Sequence, residues 1–563
     1  MNKKWQIYEN DREKIEELKE KYDINELLAT ILVNRNIVTE DEIRLFLNPT
    51  RNDFHDPFLI KDMDIAVERI LKAIKEKQKV TIYGDYDVDG ITSIIVLKSF
   101  FKDVGLEVDS YIPNRLEEGY GLNKEAIKKI VEDGCELMIT VDCGISAIDE
   151  IDYATELGVE TIITDHHEPG NEIPKALAVI DNKRKDSTYP FRELAGVGVA
   201  FKLIQALGTK LGLKEESYLK YLDIVCLGTI SDIVPLVDEN RVIAKLGLML
   251  VEQTKNMGLK SIINSSGYKK IDSTTISFGV APRINACGRM GKAEEALELF
   301  LSSDIKKVNE LTKKLNEHNS IRQATEKSIY ENVVKKIEQD HLDRNKILIV
   351  AGENWHHGVI GIVSSKITDM YFKPSILLSF EEDGIGKGSG RSIPGFDLHE
   401  ALSKCSDKIE KFGGHSMAIG ITVKRENLEA FKQEIEKIAD ENKIDEIIPI
   451  INIDAKINLS SISKSMVESL KQLEPFGEAN KMPIFAFKNL KIDSIRALSD
   501  GKHLKLTLKD NNIIINGIGF NMGYLVDEYR IGDKIDVAGV LEINTFNGVD
   551  NLQINIKDIM KSI

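Results

Sequence analysis

Four short clusters carry the residues that could do chemistry: Asp85, Asp87 and Asp89 in GDYDVDG, Asp142 in VDCG, Asp165, His166 and His167 in TDHH, and Asp232 in TISD. Six carboxylates and two imidazoles fit a paired divalent-metal site. Oxygen-rich ligands with one or two imidazoles suit Mn²⁺ or Mg²⁺, and the histidines tilt the choice toward Mn²⁺. Two such ions activate water and neutralise the charge that develops on a phosphoryl group under attack. DxDxDG also opens an EF-hand calcium loop. Counting Asp85 as position one puts Val96 at position twelve, where a bidentate Glu is required, and a strand rather than a helix precedes the loop, so that reading fails.

The elements that must position these groups are legible around them. KVTIYG, ELMITV and VETIIT read as buried strands, separated by helical patterns at 91–104 and 146–157. In a parallel sheet the functional groups gather at the C-terminal strand ends. Asp85, Asp142 and Asp165 fall there, as does Asn114-Arg115 after VDSYIP, and one crevice is expected to collect them.

Further motifs extend the pattern: YIPNRLEEGYGL at 111–122, LGTISDIVPL at 227–236, PRINACGRM at 282–290, WHHGVIGIVSSK at 355–366, GSGRSIPGFDL at 388–398, FGGHSMAIG at 412–420 and LEPFGEANKMPIF at 473–485. Over nearly its whole length the chain resembles the RecJ family of the DHH phosphoesterase superfamily, single-strand-specific 5′ to 3′ DNA exonucleases. Cys287 and Ile419 stand where that family usually has Ala, and Ala479 where Gly is usual; none of these departures removes a ligand. The resemblance implies that Asp85, Asp87, Asp89, Asp142, His166 and Asp232 hold two divalent cations, Mn²⁺ preferred and Mg²⁺ allowed. Asp142 is the expected bridge, and one of the three aspartates of DYDVDG is left open as a partner behind the ligands.

By the same resemblance His167 sits beside the phosphate as donor or general acid for the leaving 3′ oxygen, so His167 and Asp142 are the expected catalytic residues. Arg115, with Ser389 and Arg391, is expected at a terminal 5′ phosphate, because a guanidinium fork matches phosphate oxygens. Arg283, Asn285, Arg289, His356 and His415 are carried over as further lining of the substrate channel. Structural ion pairing is the plain alternative for each arginine.

The implied activity is processive 5′ to 3′ hydrolysis of single-stranded DNA to 5′ mononucleotides, in DNA repair and recombination. Two other readings compete. Another phosphoesterase of the superfamily would act on short oligonucleotides or cyclic dinucleotides, which the chain's length and its last segment argue against. A non-catalytic replication scaffold would belong to a branch with eroded ligands, whereas every ligand type is present here. Single-stranded DNA is the expected partner, single-strand-binding protein and a RecQ-type helicase are candidate protein partners, and a monomer is expected.

Composition agrees. The 563 residues imply several domains, 42% are hydrophobic, and no apolar run is long enough to span a bilayer. The start, MNKKWQIYENDREK, turns polar at once and offers no secretory segment, so a cytoplasmic location away from membranes is expected. Five cysteines form no CxxC pair, which argues against a disulfide framework or zinc site. A formal charge of −16 disfavours nonspecific duplex binding. Bound cations would offset part of that charge, and a single strand needs only a local basic groove.

The fold expected is α/β: a helical lead-in over 1–61, a DHH-type doubly wound parallel sheet domain over 62–303, and a connecting helix over 304–344 with no Gly or Pro. A second α/β domain of DHHA1 type follows over 345–448. From 449 to 563, alternating runs such as LKLTLKD and KIDVAGVLEI bounded by DG and NG suggest a small antiparallel barrel, which the resemblance makes an oligonucleotide-binding (OB) fold. Phe520, Tyr524 and Phe546 are candidates for base stacking there, with core packing the plainer role for each. GVGVA at 196–200 lacks the dinucleotide fingerprint and reads as helix packing.

Overall fold

In the computed structural model of the chain, residues 3–115, 117–546 and 549–562 are described; the side chain of Phe546 lies outside that description. The chain divides into two units, one of His55–Val234 and Leu246–Ile447, the other of the residues up to Phe54, Pro235–Lys245 and those from Ile448 onward.

The first unit holds two sheets. Its five parallel strands run Asp109–Tyr111, Val80–Gly84, Leu137–Val141, Glu160–Asp165 and Ala178–Asp181 across the sheet. The Val80–Gly84 and Leu137–Val141 strands are buried at every residue, as strands covered by helices on both faces must be. In chain order the strands read 2-1-3-4-5, which puts the topological switch between Val80–Gly84 and Leu137–Val141. Asp85 and Asp142 follow directly, so they flank the crevice where such sheets bind ligands.

The second sheet runs Lys411–His415, Ala418–Lys424, Ile385–Arg391, Ser375–Phe380, Leu348–Glu353, antiparallel except for the last pair. The longest helix between the two sheets in sequence, Ile305–Gln339, is capped by the Asp304 carboxylate, which accepts from Lys306 N. It is packed rather than free: Ile329, Val333 and Ile337 are buried against Leu348, Val350 and the His357–Tyr371 helix.

The other unit is built on six strands in which Phe485–Leu498 also pairs with Lys534–Phe546, closing the sheet into a barrel. The sequence reading of 1–61 as a helical lead-in is incomplete. A strand, Lys4–Ile7, pairs in parallel with Ile450–Ile453, and the helices Arg12–Tyr22, Glu26–Asn34 and Glu40–Leu47 place Leu28, Ile31 and Leu32 in one core with Leu473, Phe485 and Leu506. Residues 235–245, read from sequence as part of 62–303, group here as well. The reason is Arg241: its guanidinium lies 3.5 Å from the Phe46 ring centroid, and it donates to the carbonyls of Phe46, Leu473 and Glu474. All five cysteines are free and buried.

Candidate active site

The crevice at the switch point collects the acidic clusters through four backbone devices. Asp87 caps the Val88–Asp103 helix, accepting from Asp89 N at 2.9 Å and Gly90 N at 3.1 Å. Asp142 takes a left-handed conformation with φ 57°, turning its side chain out of the strand end. The Asp89 carboxylate accepts from Gly196 N at 2.6 Å and Val197 N at 2.9 Å, the first turn of the Gly196–Lys210 helix. A Cβ at position 196 would lie 2.8 Å from Asp142 Cβ and 2.9 Å from an Asp89 oxygen, so GVGVA brings backbone against the carboxylates. Asp232 ends the Leu222–Ser231 helix.

These groups converge in three sets: Asp85, Asp87 and Asp142; Asp89, His166 and Asp232; Asp142, His166 and His167. His166 Nε2 lies 3.1 Å from Asp142, 3.6 Å from Asp232 and 3.7 Å from Asp89. Asp142 therefore adjoins both the Asp85 set and the Asp89 set.

Electrostatics shows what the cluster wants. Burial, then the charge of Asp87, pushes the Asp85 carboxyl well above the usual range; burial, then Asp89, does the same to Asp142. Asp89 is pushed up to about 7 by burial and by Asp87, and Asp232 to about 9 by burial and by Asp89. Burial, reinforced by the His167 charge, drops His166 to about 3, so its ring is neutral. Neither ring nitrogen of His166, nor Asp85 Oδ1, finds a hydrogen-bond partner among the described residues. Buried carboxylates that repel one another beside an unpartnered neutral imidazole form a donor set that fits divalent cations.

Asp165 plays a different part, which its sequence position at a strand end did not reveal. It accepts from Ile145 N at 2.9 Å, and its other oxygen lies 2.7 Å from His167 Nδ1. Burial opposes ionisation of Asp165, but the His167 hydrogen bond and charge win and lower its pKa. Burial likewise opposes charge on His167, yet Asp165 pushes it up to about 9. His167 is 41% exposed at the side chain.

A cationic group stands beside this centre. Arg115 lies 4.9 Å from the Tyr86 ring centroid. Burial and the nearby Arg115 charge lower the Arg391 pKa. Burial, then Arg115, Arg322 and further along Arg391, lowers Arg289 to about 10. Arg391 donates to Ser389 Oγ at 2.9 Å, and Arg289 to Gly358 O at 2.7 Å. His356 caps the His357–Tyr371 helix, accepting from Gly358 N, and is lowered by burial, by His357 and by Arg115 and Arg289. Arg322, on the helix that sequence reads as a spacer, joins the group; it donates to Glu326 and to Asn319.

The remaining sequence candidates are engaged with other parts of the protein. Arg283 binds Asn316 Oδ1 at 2.7 Å and the Gly279 carbonyl, tying its helix to the long one. Asn285 accepts from Val88 N at 3.3 Å, supporting the start of the Asp87-capped helix. His415 is exposed on an edge strand, in a cross-strand row with Ala418 and Arg391, two strands or roughly 10 Å away.

Comparison with known proteins gives three matched family models: the DHH family N-terminal domain over 79–229, the DHHA1 domain over 344–441 and the RecJ OB domain over 453–558. The single-stranded-DNA-specific exonuclease RecJ of Bacillus subtilis strain 168 is 41% identical over 561 residues, 99% of this chain and 70% of the relative. That of Haemophilus influenzae is 31% identical over 530 residues, 90% of this chain and 92% of the relative. The crystal structure of Thermus thermophilus RecJ in complex with Mn²⁺ matches with a TM-score of 0.86 at 27% identity, covering 100% of this chain and 80% of that one. The Mg²⁺ complex of the same protein matches with a TM-score of 0.80 at 25% identity, over 100% and 79%.

Proposed function

Because the chain belongs to the RecJ family of single-stranded-DNA-specific exonucleases, we propose that it hydrolyses single-stranded DNA processively from the 5′ end, releasing 5′ mononucleotides in DNA repair and recombination. One observation supports this reading above the rest: the arginine group adjoins the carboxylate centre, since Arg115 lies 4.9 Å from the ring centroid of Tyr86, the residue that follows Asp85.

Asp85, Asp87, Asp89, Asp142, His166 and Asp232 hold two Mn²⁺ or Mg²⁺ ions in this reading, with Asp142 between the two sets. When bound, the pair supplies Lewis-acid charge at the scissile phosphate and acidifies water. The chain's own residues do the rest. Asp165 fixes the His167 ring, and His167 Nε2 delivers a proton to the leaving 3′ oxygen. Arg115, Arg289, Arg391 and Ser389 anchor the terminal 5′ phosphate through charge-assisted hydrogen bonds, which places the first phosphodiester at the centre. The barrel of the other unit grips the strand through backbone charge and stacking.

No helix among the described residues is long and apolar enough to cross a membrane. A cytoplasmic monomer working with single-strand-binding protein and a RecQ-type helicase is part of the proposal, carried by the family resemblance alone. The test is a time course with Mn²⁺ on strands labelled at either end. The 5′ label should appear first, as mononucleotide, and the 3′ label last. Release starting at the 3′ label, or cleavage of very short oligonucleotides only, would overturn the reading.

A further inference from the structure

Arg115 lies inside a loop that closes on itself. The amide of Asn114, just before it, donates to the Glu118 carboxylate at 2.6 Å, and the Asn114 carbonyl accepts from the Glu118 amide at 2.7 Å. This reciprocal pair brackets the arginine. The other Glu118 oxygen accepts from Tyr111 Oη at 2.7 Å and from Asn123 Nδ2 at 3.1 Å.

Both of those partners are themselves fixed. Tyr111 ends the Asp109–Tyr111 strand and stacks on its register partner Tyr83, with ring centroids 5.3 Å apart. Asn123 caps the Lys124–Glu132 helix, accepting from Ala126 N at 2.7 Å. One carboxylate thus ties the residue before Arg115 to the end of one element and the start of the next.

An exposed loop glutamate ordinarily belongs to water and contributes little. Glu118 is exposed, yet burial, which opposes its charge, is outweighed by the Asn114 amide, Tyr111 and Asn123, which hold its pKa below the ordinary range. It therefore stays an acceptor at both oxygens. A long arginine side chain on a loose loop would lose much of its binding energy to the cost of being ordered, so an anchor of this kind needs its backbone fixed in advance.

We propose that Glu118 is a positioning residue for end recognition: it holds the backbone at Asn114-Arg115 so that Arg115 meets the terminal 5′ phosphate already in place, and it touches neither substrate nor metal. The inference rests on the exonuclease reading above and deepens it. Removing Glu118 then weakens the preference for a 5′ phosphate and leaves bond breaking alone.

The test uses the full-length Mn²⁺ enzyme and strands bearing either a 5′ phosphate or a 5′ hydroxyl. Glu118→Ala should lower kcat/KM on the phosphorylated strand by about 10-fold, inside the roughly 100-fold that a 1 Å misplacement can cost, and leave the hydroxyl strand nearly unchanged. Glu118→Gln keeps the length and volume but offers one acceptor oxygen, so it should do the same in lesser degree. Glu117→Ala, at the exposed residue next to it, should do nothing. In an Arg115→Ala background Glu118→Ala should remove no further discrimination, because both changes act through one guanidinium. Equal losses on the two strands, an undiminished phosphate preference, or the same further loss in the Arg115→Ala background would each overturn the inference. Absence of 5′ mononucleotides from the wild type would instead overturn the exonuclease reading, and the inference with it.

Discussion

One Asp165 oxygen lies 2.7 Å from His167 Nδ1 and also accepts the backbone amides of His166 at 2.7 Å and His167 at 3.2 Å. A single carboxylate thus sets the backbone of both histidines and the ring of one. It separates their roles: His166 turns, neutral, into the carboxylates, and His167 stays charged at the open side.

Asp165→Asn keeps the shape and removes the charge. Turnover should fall about 10- to 100-fold, as for other orienting partners, while Mn²⁺ affinity by calorimetry changes little. Burial lowers the His167 pKa and Asp165 raises it to about 9, so a reaction needing the protonated ring fades as pH rises through that value. Without the carboxylate charge the alkaline limb of the rate profile should shift to lower pH. Loss of Mn²⁺ binding together with rate would make Asp165 a ligand instead.

Removing the group between the two carboxylate sets is harsher. Asp142→Ala should lose Mn²⁺ binding and activity while circular dichroism stays that of the folded protein. His167→Ala should cost about 10² to 10³ in rate, the scale for one lost transition-state donor, and keep its metal. Near-normal turnover of Asp142→Ala would refute the assignment.

Chelated protein should respond to pH in the opposite sense to most acidic clusters. Folded-state carboxyl values of about 7 for Asp89 and about 9 for Asp232, both above the unfolded value of about 3.9, mean that the folded state binds more protons. That contribution is fully present below the unfolded value and is lost as pH rises through 7 to 9. The melting temperature with chelator should therefore fall between pH 5 and 9, and Mn²⁺ should restore it most at the alkaline end. A gap between metal-loaded and chelated protein that does not widen with pH would count against this electrostatic picture.

The barrel is best tested on its outer face, because cutting near Pro449 would strip Leu28, Ile31 and Leu32 of their core and Arg241 of two carbonyl partners. Along His503–Asp510, Leu504, Leu506 and Leu508 point inward and Lys505, Thr507 and Lys509 outward, with Arg496 opposite Lys505. Lys505→Ala and Lys509→Ala should spare short oligonucleotides, reduce processivity on long strands and flatten the salt dependence of binding by about 0.7 per lost phosphate contact. Unchanged processivity and salt slope would assign the barrel another task.

Much of the site was readable because the chemistry sits at strand ends, where a run of buried β-branched residues stops at a carboxylate. Burial against what was not readable. The apolar stripe of Glu26–Asn34 announces a core but not that its partners lie beyond residue 450. Asp165 carries the same side chain as the proposed ligands around it, and it is the geometry that shows it against the His167 ring. Arg322 sits in the helix that sequence reads only as a connection, yet two protein acceptors fix it beside Arg289. Arg283 shows the converse: its motif does not announce that its guanidinium joins two helices.

The central claim is that the arginine group holds a 5′ phosphate and so sets polarity, apart from the bond-breaking centre. It is tested most directly by the ratio of kcat/KM for 5′-phosphorylated over 5′-hydroxyl strands, measured with Mn²⁺ for wild type, Arg115→Ala and Arg391→Ala. Charge-assisted hydrogen bonds contribute about 1.5 to 3 kcal/mol each, so each substitution should slow the phosphorylated strand by roughly 10- to 100-fold and leave the slower hydroxyl strand nearly unchanged, driving the ratio toward one. If both strands lose the same factor, these arginines serve the scissile phosphate or the fold, and the account of polarity is contradicted.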